Sequence, residues 1–179
     1  MNSNSRNESR KLLNKFIKSE SLINHSEMVA QAMEAYAISL GKTNDEIEEW
    51  WQAGLLHDLD WEKYPDEHPH KAINEILPDA GYSTDVIEAI KAHAPKRTGK
   101  KPETESYLFA CDELSGFMNA VSLMRPNKFE DMKVKSVTKK LKDAKFAASV
   151  PREDIREGAS LIGKELNDHI LFMINVYRS

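Results

Sequence analysis

Apolar residues recur at helical spacing from one end of this chain to the other, and no segment alternates as a half-buried strand would. Leu12, Leu13, Phe16 and Ile17 mark a short helix over 10–19. Leu22, Val29, Met33 and Tyr36 mark a second over 21–40, and Gly41 is its expected C-cap. Thr43 and Glu46 have capping-box spacing and open a third, which carries Ile47, Trp50, Trp51 and Leu55 and ends at His57–Asp58. Gly54 lies inside it at a cost of about 1 kcal/mol relative to Ala, which close approach of another helix would justify. Seven glycines and seven prolines are too few for a chain of tight β-turns. The expected class is all-α, with about seven to eight helices.

The remaining boundaries follow the same signals. Residues 1–9 are polar and read as a frayed end. Pro69 suits the first turn of a helix over 68–77, with Pro78 just beyond it. Ser83 or Thr84 caps a helix that reaches His93, and 96–102 form a basic loop. A long helix covers 103–123. A basic helix follows over 133–145, with a Val134, Val137, Leu141 stripe. Pro151 opens one last helix, which carries Ile155, Ala159, Ile162, Leu166, Ile170 and Met173.

At 179 residues the chain reads as a single domain, with a central part over about 20–125 on which helices of 126–179 pack. A net charge of −4 argues against a dedicated nucleic-acid partner. No run of 18 apolar residues suggests a membrane span, and the N-terminus lacks an apolar signal region. The single Cys111 excludes an internal disulfide and a cysteine zinc cluster, so a reducing cytoplasm is the expected location. A homodimer is left open.

Chemistry concentrates in GLLHDLDWEKYPDEHPH, residues 54–70. His57–Asp58 closes an apolar run, where a polar pair is costly unless it shares a partner, and imidazole with carboxylate is a mixed ligand set for a metal cation. His25, His68, His93 and Asp112 also interrupt apolar surfaces or sit at helix ends. Asp112 stands within FACDEL, in the middle of an apolar helix. Asp60 and Glu62 lie close by; each reads as a residue orienting a ligand histidine, a proton donor, or an exposed loop acid. Lys96 and Arg97 follow His93 and suit a substrate phosphate or a solvated loop. His169 reads as a surface residue of the last helix.

The order His25, His57–Asp58, His68, His93, Asp112 resembles the HD-domain superfamily of metal-dependent phosphohydrolases. The words LLHDLDWEKYPDEH, AIKAHA, ACDELSG and MKVKSVTKKLKDAKFAASV are similar to small stand-alone bacterial HD hydrolases, over about residues 20–165. The resemblance implies a helical bundle. It implies one metal site from His25, His57, Asp58 and Asp112, and a second completed by His68 and His93 with Asp58 bridging. His70 is the lower-ranked substitute for His68. One or two divalent ions are implied, with Mn, Fe, Co, Ni and Zn undistinguished. Two ions roughly 3.5–4 Å apart would activate a water and clamp phosphate oxygens.

The implied substrate is a small phosphorylated metabolite or nucleotide. Asp58, Glu62 and Lys96 are the expected catalytic residues, and Lys96, Arg97 and Lys135 the expected phosphate contacts. The alternatives are a non-catalytic metal- or nucleotide-binding regulatory module and an HD-type di-iron oxygenase.

Overall fold

Side-chain caps set where the first helices begin. In the computed structural model, which describes residues 4–91 and 103–178, the Ser5 hydroxyl accepts the Glu8 amide while the Glu8 carboxylate accepts the Ser5 amide. This reciprocal cap opens α1 (Arg6–Phe16), so the chain is helical from Arg6 and the expectation of a frayed 1–9 is corrected there. Ser19 caps α2 (Glu20–Ser39), and the expected box of Thr43 and Glu46 opens α3 (Asn44–Leu56). Gly41 ends α2 with φ 69°, where a Cβ would be strained.

The described secondary structure is entirely helical, and the chain divides into two compact units, Met1–Leu108 and Phe109–Ser179, the division falling within α6 (Glu103–Leu123). No helix of the described residues is long and apolar enough to cross a membrane.

In the first unit α2 lies closely against α3. A Cβ on Gly54 would come within 2.7 Å of Ala30 Cα and 2.9 Å of the Val29 carbonyl oxygen. These are backbone atoms that cannot swing aside, so Gly54 fixes the approach of the two helices. Around it Val29, Ala30, Met33, Tyr36, Ala53, Leu55 and Leu56 are buried. We expect Gly54→Ala to lower stability by about 1 kcal/mol, as overpacking of about 1–3 kcal/mol exceeds the roughly 1 kcal/mol regained in helix propensity. Thermal unfolding measures the difference, and a stabilised variant would contradict the close approach.

Arginines clasp α1 to this pair. Arg6 meets Glu34 and Glu48, Arg10 meets Glu27, and both guanidinium groups lie over the Trp51 ring.

After α3 a loop leads into a π-helical stretch, Ala72–Ile76, that runs into the short α4 (Leu77–Asp79). Pro78 lies inside this last turn rather than beyond it, at a helix-start position where its missing amide needs no partner. Ser83 accepts the Val86 amide at the head of α5 (Thr84–Lys91).

The second unit holds the rest of α6, α7 (Val134–Leu141), α8 (Arg152–Leu161) and α9 (Leu166–Arg178). The basic helix is shorter than expected. Past Lys142, the Asp143 carboxylate accepts the Lys145 amide, a local bond that competes with helix. Arg152 then holds carbonyls of Asp143, Phe146, Ala147 and Val150 in the following loop.

The single last helix is also corrected, since it breaks into α8 and α9. Gly163 adopts φ 66°, and the Lys164 amide turns back to the Ala159 carbonyl, closing α8. With this break and the short α4, the described residues hold nine α-helices rather than seven or eight.

Candidate metal centre

His57 caps the C-terminus of α3, and its ring folds back on the helix. Nδ1 lies 2.7 Å from the Gly54 carbonyl oxygen. A carbonyl can only accept, so Nδ1 carries the hydrogen and Nε2 of the neutral ring offers a lone pair. That nitrogen is 3.4 Å from Asp58 Oδ2. Gly54 thus serves twice: its missing side chain lets α2 approach, and its carbonyl sets the tautomer of His57.

The same approach delivers His25. It lies in the first turns of α2, with its ring 5.2 Å from the His57 ring in an edge-on arrangement. Ligand atoms of His25, His57 and Asp58 all lie within 4.8 Å of one another. His57 is fully buried and the Asp58 side chain is 16% exposed. An imidazole lone pair and a carboxylate this close repel each other unless a positive charge lies between them, and burial sharpens the repulsion. The donor set of nitrogen and carboxylate oxygen fits a divalent cation of borderline hardness.

His68 comes to the other side of the carboxylate, with Nε2 3.5 Å from Asp58 Oδ1. Its neighbour His70 is exposed. The Trp61 ring meets the His68 ring edge-on at 5.0 Å.

The acids of this loop go to different places. Asp60 is fully buried against His68 and the Ala72 amide. Glu62, one of the expected catalytic residues, is exposed and accepts the backbone amides of Lys18 and Ser19, capping the start of α2. Those hydrogen bonds hold its carboxyl below the usual range. This role of Glu62 and the Gly54 carbonyl were missed from the sequence. A histidine three residues after a helical glycine is the one local hint for the second.

Of the other candidates, His93, Lys96 and Arg97 lie outside the described residues. Lys135 is exposed on α7. Asp112 is buried on α6, and burial, with the Asp112 charge as a lesser cause, pushes the neighbouring Cys111 thiol far up.

His169 corrects its expectation outright. It is fully buried, with Nε2 2.9 Å from the Ala110 carbonyl oxygen. Burial pushes its pKa down to about 4, so the ring is neutral and Nε2–H donates.

No curated protein and no solved structure matches the chain. The family model described as HD domain matches residues 22–170. That span takes in His25, the His57–Asp58 pair and most of both units, and with the helical architecture it establishes that this chain belongs to the HD-domain family.

Proposed function

We propose that this protein is a metal-dependent phosphohydrolase that cleaves a phosphoester of a small metabolite or nucleotide with an activated water. The observation that carries the reading is the convergence of His25, His57 and Asp58, with the His57 lone pair turned toward the carboxylate. Membership of a family made up mostly of metal-dependent hydrolases supports it. His68, beside the second oxygen of Asp58, extends the donor set. Asp112 and His93 enter the proposal on the ordered sequence pattern alone, as do Lys96, Arg97 and Lys135 as phosphate contacts.

A divalent cation held by His25, His57 and Asp58 would supply Lewis acidity, lowering the pKa of a water toward ~7 and neutralising phosphate charge. The protein's part is to turn the ligating nitrogen of each imidazole toward the site and to hold the rings in place. Gly54 does this for His57 through its carbonyl. Asp58, between His57 and His68, brings the negative charge that attracts the cation. This chemistry needs no serine or cysteine nucleophile, and the Cys111 thiol, buried and held protonated, is unsuited to be one.

The test is a panel of nucleoside monophosphates, sugar phosphates and bis(p-nitrophenyl) phosphate, assayed with Mn2+, Co2+ or Ni2+. Release of phosphate or nitrophenol that is abolished by a chelator and restored by metal is the expected result. No turnover with any ion would set the hydrolase reading aside in favour of a regulatory module.

A further inference from the structure

We infer that Asp60 is the residue that fixes His68 in its Nδ1–H tautomer, and so turns the Nε2 lone pair toward Asp58. This deepens the reading above and rests on it for its consequence, though not for its geometry. Asp60 is wholly buried, yet neither carboxylate oxygen lacks a donor. Oδ1 lies 2.6 Å from His68 Nδ1, and Oδ2 accepts the Ala72 amide at 2.8 Å. The backbone donor has no alternative state, so the carboxylate is anchored to the start of the π-helical stretch Ala72–Ile76. An anchored carboxylate is an acceptor, and it places the ring hydrogen on Nδ1.

The opposite nitrogen of His68 is then the one 3.5 Å from Asp58 Oδ1. His57 reaches the same state by another route, with a main-chain carbonyl in place of a carboxylate. Two imidazoles on opposite oxygens of Asp58 are thus aimed by separate acceptors eight or fewer residues away. Asp60 also distinguishes His68 from His70, which is exposed. Side-chain packing adds to the fixing, since Trp61 meets the His68 ring edge-on. Asp60 acts through His68 and is a positioning residue.

The experiment is a long-range 1H–15N correlation spectrum of metal-free protein labelled at histidine, with the His68 signals assigned from a His68→Gln sample. The wild type is expected to show His68 as Nδ1–H. Asp60→Asn keeps the shape, and its amide oxygen can still accept from Ala72. Its NH2 then faces Nδ1 and is expected to move the hydrogen to Nε2, while His57 stays unchanged. Zn2+ titration of the same samples is expected to show affinity weakened by roughly 10–100-fold, the usual cost of losing a group that orients a ligand.

Wild-type His68 found as Nε2–H overturns the inference, and needs no variant to do so. A tautomer unmoved in Asp60→Asn overturns it as well, as does a moved tautomer with undiminished Zn2+ affinity. Wild-type protein that shows the Nδ1–H signature but takes up no Zn2+ supports the tautomer assignment and overturns the metal reading, so the two failures are told apart.

Discussion

Asp58→Ala should abolish metal uptake and phosphoester hydrolysis while leaving helix content near that of the wild type. The carboxylate is shared: Oδ2 faces His57 at 3.4 Å and Oδ1 faces His68 at 3.5 Å, with His25 in the same cluster. Removing it deletes the negative charge and a ligand oxygen together. Losing a residue that merely orients a metal ligand costs roughly 10–100-fold in affinity or activity, so loss of the shared ligand itself should exceed about 100-fold. The helices have their own supports. α3 ends at Leu56, before Asp58, and is held by its cap and by α2. Circular dichroism with a parallel activity assay reads both quantities. Full activity in this variant would remove Asp58 from the site.

The second large effect is on stability and comes from His169. Its pKa is about 4 in the folded chain against an ordinary 6.5. Between those values the unfolded chain binds the proton and the folded chain does not, so acid favours unfolding. The contribution is complete above pH 6.5, falls as the pH drops, and is fully lost below about 4. A gap of that size corresponds to about 3 kcal/mol at 1.36 kcal/mol per pH unit. His169→Gln keeps an N–H donor for the Ala110 carbonyl but cannot titrate. Urea unfolding at pH 7.5 and pH 4.5 should show a smaller acid loss in this variant than in the wild type. Equal losses would place the acid sensitivity elsewhere.

The fold was legible because its signals are local. Apolar spacing of three and four residues, the Thr43–Glu46 box and Gly41 each act within a turn or two, and the structure carries them where expected. Gly54 was legible as a point of close approach, because a glycine inside an apolar helix has a cost that needs a reason. The break at Gly163 was hidden because the apolar spacing from Ile155 to Met173 continues through it.

The site was legible in part. His57–Asp58 stands out as a polar pair closing an apolar run. What the spacing could not show was long-range pairing. Glu62 caps a helix more than forty residues earlier in the chain, and the buried His169 donates to a carbonyl 59 residues away. A backbone partner leaves no mark in the pattern of side chains, so both residues read as surface or catalytic groups until the chain was folded.

The most direct measurement is the metal content per chain, by mass spectrometry, of protein purified without a histidine tag or chelator, with Asp58→Ala prepared alongside. The expected result is between one and two equivalents of a divalent transition metal in the wild type and close to none in the variant. A wild-type chain with no metal, even after exposure to Mn2+, Co2+, Ni2+ and Zn2+, or a variant that keeps a full complement, would contradict it.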